Sequence, residues 1–419
     1  MTTPDTGLPQ VVVIGAGHAG GTVAGVLRQN GFEGRIVVLG QEPDPPYHRP
    51  PLSKKFGDAV SAQWLRPKDF YRDNDIDLRM SQTVSQIDRA AQRVETESGE
   101  QIEYDWLVIA TGASSRMLPV PGSDLDGVLT LRSLGEAKLL AEHVRLGHRI
   151  VIVGGGYIGL EVAAAARAHG CEVVIVERES RVLARVASAE FADVLTEFHR
   201  KQGTRIITEA SVAHIDPTAD GAVGSVRLDD GTEVECDLVL VGVGAVPNDS
   251  LARDVGVECE HGIVVDGSSR TSDPHILAIG DVTNRFHDGL GRRVRLESIP
   301  SAVEQAAQAS AIIMGTEVPT HEVPWFWSDQ FDLKMKMAGV RSEGTHAVLR
   351  GDPVSGSFAV FHLDADGRVD SIETANAAKE FMAGKKYLAS GARLDRTKLA
   401  DPTISMRDVL VGCDAVVNS

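Results

Sequence analysis

The sequence predicts an α/β protein with two parallel-sheet domains and a smaller α+β domain at its C-terminal end. Three observations predict it: a strand, glycine turn and helix near the N-terminus, a second copy of that unit in mid-chain, and late short strands followed by a helix. A length of 419 residues leaves room for several cores, and 42% hydrophobic with 24% charged residues is the composition of a folded chain. The net charge of −17 argues against nucleic acid as a partner, because phosphates are held by net positive surface. The first ten residues are polar, with no basic segment ahead of an apolar core, and no apolar run approaches the length of a membrane span. No membrane partner and a cytoplasmic location are therefore expected.

Gln10–Ile14 is an apolar, β-branched run that leads into Gly15-Ala16-Gly17-His18-Ala19-Gly20 and then a helical pattern to Gln29. This is the Rossmann-like dinucleotide fingerprint. Gly15 allows the tight turn, Gly17 lets a pyrophosphate approach the backbone, and Gly20 lets helix and strand pack closely. The helix N-terminus, Ala19 included, supplies unpaired amides and a positive dipole end. His18 reads as a loop residue rather than a catalyst. The next strand, Arg35–Leu39, ends in Gly40-Gln41-Glu42, which makes Glu42 the candidate for the adenosine ribose.

The unit recurs. Strand Arg149–Val153, the turn Gly154-Gly155-Gly156-Tyr157-Ile158-Gly159, a helix through Ala168 and strand Glu172–Val176 repeat it, with Gly154, Gly156 and Gly159 in the three glycine roles. Glu177 closes that strand, where a carboxylate accepts from both ribose hydroxyls and repels a 2′-phosphate, which favours NADH over NADPH. Arg178 and Arg181 keep the other choice open, because arginine pairs with that phosphate. Two dinucleotide sites imply two dinucleotides with hydride passing between them, and FAD with NADH is the natural pair.

Two further segments carry a resemblance. Tyr104–Gly112 is an apolar strand closing on Ala110-Thr111-Gly112, and Thr271–Asp281 ends in Ala278-Ile279-Gly280-Asp281. With the two fingerprints, and with Val241–Asn248 as a crossing between domains, they make the chain similar to the two-dinucleotide flavoproteins of the glutathione reductase superfamily. The resemblance implies that Asp281 bonds the flavin ribityl chain. It also implies a FAD-binding domain from 1–113 and 249–318, an NADH-binding domain at 114–248 and a C-terminal α+β interface domain at 319–419.

Disulfide reductases of this fold keep a cysteine pair beside the flavin, and this chain has none there. Its cysteines, Cys171, Cys236, Cys259 and Cys413, form no CxxC pair and read as reduced structural thiols. The corresponding stretch is Pro45–Lys54, and with Leu296–Pro300, Glu304–Ala306 and Pro324–Gln330 it resembles the oxygenase-coupled, putidaredoxin reductase-like ferredoxin reductases. Gln41 departs from that family, whose members usually carry an acid there.

The resemblance implies an enzyme, an FAD-dependent oxidoreductase that takes hydride from NADH and passes single electrons to a 2Fe-2S ferredoxin supplying a monooxygenase or dioxygenase. Lys54 and Glu161 look like the family's ion pair beside the flavin, the cation stabilising arriving electron density and the carboxylate holding it. Arg49, Val84, Arg132 and Gly244 fall at cofactor-binding positions. Ile299 lies at the start of a Ser301–Met314 helix whose positive end faces the flavin, and Trp327 lies at the edge where electrons leave. Thr345–Arg350, Ser357–Leu363 and Arg368–Thr374 read as a three-strand antiparallel meander, with a helix from Asn376.

The ferredoxin is expected to dock near the flavin edge and this C-terminal domain, where Lys385, Lys386, Arg393, Arg396, Lys398 and Arg407 form a locally basic end. A monomer or weak dimer is expected. So is the absence of a metal, since none of the 13 histidines has metal-ligand spacing. Two other readings share the fold: an NADH oxidase or quinone reductase, marked by fast oxygen uptake without a carrier, and an NADH-sensing flavoprotein, marked by slow reoxidation.

Overall fold

β-branched apolar runs favour strands buried on both faces, and the computed structural model, which describes residues 7–55 and 61–411, places strands at those runs. In chain order the elements that position the sites begin with β1 (Gln10–Ile14), α1 (His18–Gln29), β2 (Arg35–Leu39) and β3 (Trp106–Ile109). Next come β4 (Arg149–Val153), α2 (Tyr157–Ala168), β5 (Glu172–Val176), α3 (Ala189–Lys201) and α4 (Ile299–Met314). The last are β6 (Trp325–Gln330), β7 (Leu333–Gly339), β8 (His346–Asp352), β9 (Ser357–Leu363), β10 (Val369–Ala375) and α5 (Ala378–Ser390). The chain divides into two compact units. One comprises the chain up to His48, Ala62–Ser114 and Ala245–Pro324; the other comprises the segment from Arg49, Ser115–Gly244 and the chain from Trp325.

In the first unit a five-stranded sheet runs in the order Ile276–Ala278, β3, β1, β2, Ile76–Arg79, all parallel. Successive side chains of β1 point to opposite faces. Val11 and Val13 pack with Val23 and Leu27 of α1 and with Ala302, Ala306 and Ala309 of α4, while Val12 and Ile14 pack beneath a three-stranded antiparallel layer that includes Val84, Val94 and Ile102. Small alanines on α4 let the two helices lie close on the sheet. The helix starts at Ile299 rather than Ser301, because Ser298 caps it and Pro300 occupies the first turn, where no backbone N–H is needed.

In the second unit the order is Arg205–Ile207, β5, β4, Leu238–Val241, Val128–Leu129, again all parallel. The C-terminal part holds a five-stranded antiparallel sheet in the order β6, β7, β10, β9, β8, with α5 packed on it. The expected meander is present as β8, β9 and β10, and β6 and β7 are two strands beyond it. Strand β7 alternates Leu333, Met335 and Met337 on the buried face with Lys334 and Lys336 on the other. By pairing with β10 it makes β10 the central strand of the five, and β10 is almost wholly buried, Glu373 included. That carboxylate accepts from the backbone N–H and the hydroxyl of Ser188, the N-cap of α3, and lies 2.8 Å from Nε2 of His362. A buried acid with three partners thus ties α3 to the C-terminal sheet.

Candidate functional site

The first glycine turn leaves β1 with Gly15 at φ 108°, a conformation that a side chain resists; a Cβ there would also collide with the Ala110 carbonyl oxygen. A Cβ on Gly20 would collide with the Gly15 carbonyl oxygen. Gly17 is different: no atom lies within 4 Å of where its Cβ would be. Two glycines are thus small for packing, and one is small toward open space. Gly17 is the N-cap of α1 and supplies no side-chain bond, so the first-turn amides face that space.

The rest of the cradle is held from behind. Gly280 approaches α1 so closely that a Cβ would lie 2.9 Å from the Cβ of Ala19. Gln305 of α4 accepts from the Gly280 N–H at 3.0 Å and from the Thr283 hydroxyl at 3.1 Å, which fixes the turn carrying Asp281. Thr111 donates to the Asn248 carbonyl at 2.7 Å, and Asn248 donates back to the Thr111 carbonyl at 3.0 Å, bracing Ala110–Gly112. Glu42 accepts from the Tyr47 hydroxyl at 2.6 Å, while Gln41 is exposed. The Val84 side chain lies in the core, leaving only its main chain for a ligand. Nδ1 of His18, Nε of Arg66 and the Tyr71 hydroxyl are shielded from solvent without a hydrogen-bond partner among the described residues. An open second glycine, free helix amides and the orphaned Nδ1 of His18 at the helix start fit the diphosphate of FAD.

The second turn repeats the backbone: Gly154 has φ 107°, a Cβ on Gly159 would collide with the Gly154 carbonyl oxygen, and Gly156 again has nothing within 4 Å. The Glu177 carboxylate lies at the rim of the turn, accepting from the Gly155 N–H at 2.6 Å and from the Glu179 N–H at 2.9 Å. Arg181 donates to the carbonyls of Val182, Ala184, Ala187 and Ser188, so its guanidinium is committed to the loop before α3. Arg178 is exposed and pairs with Glu179 at 3.1 Å. Tyr157 opens α2 with its hydroxyl buried and unpartnered among the described residues, its ring edge-on to Phe326 at 5.0 Å. Burial pushes that phenol well up. Ile158 beside it is half exposed, and the Gly244 carbonyl accepts from the Arg116 N–H at 2.9 Å.

Also in the second unit, Lys54 Nζ lies 2.9 Å from Asp329 and 3.4 Å from Glu161. Glu161 is buried on α2 and accepts from the hydroxyls of Ser53 and Ser328, the latter at 2.6 Å. Gln330 donates to Ser328 at 3.2 Å, and His199 Nε2 lies 2.9 Å from Gln330 Oε1, which extends the network to α3. The structure brings Lys54 and Glu161 together and adds Asp329, Ser53 and Ser328, which sequence reasoning missed; their only signal was that Ser53 stands in the Pro45–Lys54 segment and Ser328 and Asp329 in Pro324–Gln330. Arg49 donates to the Arg132 carbonyl at 2.6 Å. Trp327 lies on β6 opposite Lys336, its ring 5.7 Å from that of Trp325, and Lys385 covers the Trp325 ring at 5.3 Å.

Cys171, Cys236 and Cys259 are unbonded, and Cys413 lies outside the described residues. Burial pushes the Cys236 thiol up to about 12 and raises the other two, so none is a ready thiolate. Among the described residues there is no cluster of three or more metal-ligating side chains, and no helix is long and apolar enough to cross a membrane.

Residues 9–306 match the family described as pyridine nucleotide-disulphide oxidoreductase, and residues 325–410 match a reductase C-terminal family. The chain is 44% identical over 409 residues to the probable ferredoxin reductase CtmF of Castellaniella defragrans, covering 96% of this chain and 99% of that protein. It is 40% identical to rhodocoxin reductase of Rhodococcus erythropolis, covering 95% of this chain and 93% of the relative. Among solved structures, the reductase in a covalent putidaredoxin reductase–putidaredoxin complex matches with a TM-score of 0.92 and 36% identity, over 96% of this chain and 98% of that one.

Proposed function

This chain belongs to the pyridine nucleotide-disulphide oxidoreductase family and, within it, to the FAD- and NAD(H)-dependent ferredoxin reductases, and from that premise we propose that it oxidises NADH and reduces a 2Fe-2S ferredoxin feeding a monooxygenase or dioxygenase in the cytoplasm. The observation that carries this is the pairing of two open-glycine cradles with thiols unsuited to disulfide exchange. The family's name refers to disulphides, and the thiols of Cys171, Cys236 and Cys259, all raised by burial, are poor partners for that chemistry.

When bound, FAD supplies the junction between a two-electron donor and a one-electron acceptor. The chain's own residues do the rest by binding and electrostatics. Gly15, Gly17, Ala19 and Gly20 form the turn and helix start that receive the FAD diphosphate, Asp281 takes the ribityl chain, Glu42 takes the adenosine ribose, and Val84 and Ala110–Gly112 contribute main chain. The N-terminus of α4 at Ile299 offers a positive dipole end to negative charge. Lys54 offsets charge gained on reduction, and Glu161, its two oxygens occupied by serine hydroxyls, keeps the ammonium in place. Arg49, Arg132 and Gly244 complete the cofactor set.

Gly154, Gly156, Tyr157, Ile158 and Gly159 receive NADH, with Glu177 on the ribose hydroxyls. The commitment of Arg181 to four carbonyls supports NADH over NADPH, since it removes a cation that would pair with a 2′-phosphate. For the acceptor, Trp327 and the basic end of the C-terminal domain offer a surface that suits an acidic protein.

The test is NADH-driven reduction of cytochrome c with and without a panel of 2Fe-2S ferredoxins, with oxygen uptake recorded. Reduction that depends on one ferredoxin is the expected result. Rapid oxygen uptake indifferent to every ferredoxin would make the chain an oxidase instead.

A further inference from the structure

We propose that His18 is a cationic contact for the FAD diphosphate, taking up a proton as the cofactor binds, so that cofactor retention depends on pH. The proposal rests on the assignment of the α1 cradle to FAD. His18 is the first residue of α1, directly after the glycine that faces open space. Its Nδ1 is out of solvent and has no hydrogen-bond partner among the described residues, a costly arrangement unless a ligand completes it. Arg66, whose Nε is equally unpartnered, lies close enough to act on the same imidazole.

The groups that face His18 are His48, with its ring 5.1 Å away, Arg66 and Asp281. Burial is the largest influence on the imidazole; His48 and Arg66 also disfavour its charge and Asp281 favours it, and together they bring it down to about 4. Without an anion the ring is therefore neutral at physiological pH. A diphosphate at the start of α1 adds negative charge on the side where the amides point, and an opposite charge within a few ångströms raises such a group by about one to three pH units. The proton comes from solvent and adds to the imidazole; no bond of FAD changes. The second cradle has no counterpart: the equivalent first residue of α2 is Tyr157, which cannot become a cation.

The experiment titrates the apoprotein with FAD from pH 4 to 8.5, reading the dissociation constant from flavin fluorescence and proton uptake from an indicator dye. Between the free and bound pKa of His18 the dissociation constant should rise by up to about tenfold per pH unit and level off above, with proton uptake over the same interval. His18→Gln should flatten the curve, and His48→Gln should leave the slope in place. A slope that survives in His18→Gln, or that disappears in His48→Gln alone, overturns the proposal. Should neither variant fold, a wild-type curve that is flat and free of proton uptake overturns it, and uptake over the acid arm supports it. Failure of the wild type to bind FAD at any pH would overturn the cradle assignment instead.

Discussion

At Gly15 and Gly154 the backbone takes nearly the same torsion, φ of 108° and 107°, and in both turns the third glycine abuts the carbonyl of the first while the second faces open space. The side chains that follow differ. The first turn continues into His18 with His48 and Arg66 nearby, and its strand ends at a glutamate engaged by Tyr47; the second continues into Tyr157, and Glu177 bonds the turn itself. The shared backbone offers a diphosphate the same open turn in both places. On the proposed reading, the imidazole and guanidinium beside the first turn suit a retained cofactor, and the uncharged ring at the second suits a nucleotide that exchanges.

The comparison can be broken most forcefully at the packing glycines. Gly20→Ala and Gly159→Ala each drive a Cβ into a backbone carbonyl that cannot yield, and each should destabilise its own unit by about 1–3 kcal/mol or more. Calorimetry should show the loss, and an unchanged unfolding temperature would mean that close helix–strand packing is not their role. Removing the cation comes next. Lys54→Met leaves the buried Glu161 without its ammonium and should slow flavin reduction by NADH roughly 100-fold in stopped flow. Asp329→Asn should change the rate by less than about threefold, because Asp329 is 46% exposed and solvent screens it.

Glu177→Ala sharpens the second cradle. It should raise the KM for NADH about tenfold or more, the worth of hydrogen bonds to a charged group, and change the KM for NADPH much less. Equal losses with both cofactors would refute the ribose assignment. The last expectation concerns acid stability. His199 is fully buried and burial lowers it to about 4, so the folded state binds fewer protons than the unfolded chain between pH 6.5 and 4. Its contribution is complete above pH 6.5 and fades as pH falls toward 4. Urea unfolding across that interval should lose stability more gently in His199→Asn than in the wild type.

What was legible in the sequence was local. The two strand–turn–helix units, the turn and packing positions of each glycine set and the end of each strand follow from spacing and from the need of β-branched runs to be buried. The Lys54–Glu161 pair came by resemblance. What was missed depends on partners distant along the chain: Asp329 meets Lys54 across a separation of 275 residues, and Glu373 lies on β10, which β7 and β9 flank on both sides. Spacing could not tell whether Arg181 was free for a phosphate, since its commitment depends on four carbonyls of a folded loop. The alternation in Leu333–Met337 was readable, and its pairing with an aromatic strand was not.

The most direct test of the two-cradle account is a crossed measurement on the open glycines, Gly17→Ala and Gly156→Ala, recording FAD affinity and the KM for NADH in both. Each Cβ enters open space, so both proteins should fold as the wild type does. The account predicts that Gly17→Ala loses FAD affinity at least about tenfold, and that Gly156→Ala keeps its FAD while its KM for NADH rises by a similar factor. FAD loss in Gly156→Ala, or full FAD affinity in Gly17→Ala, would contradict it.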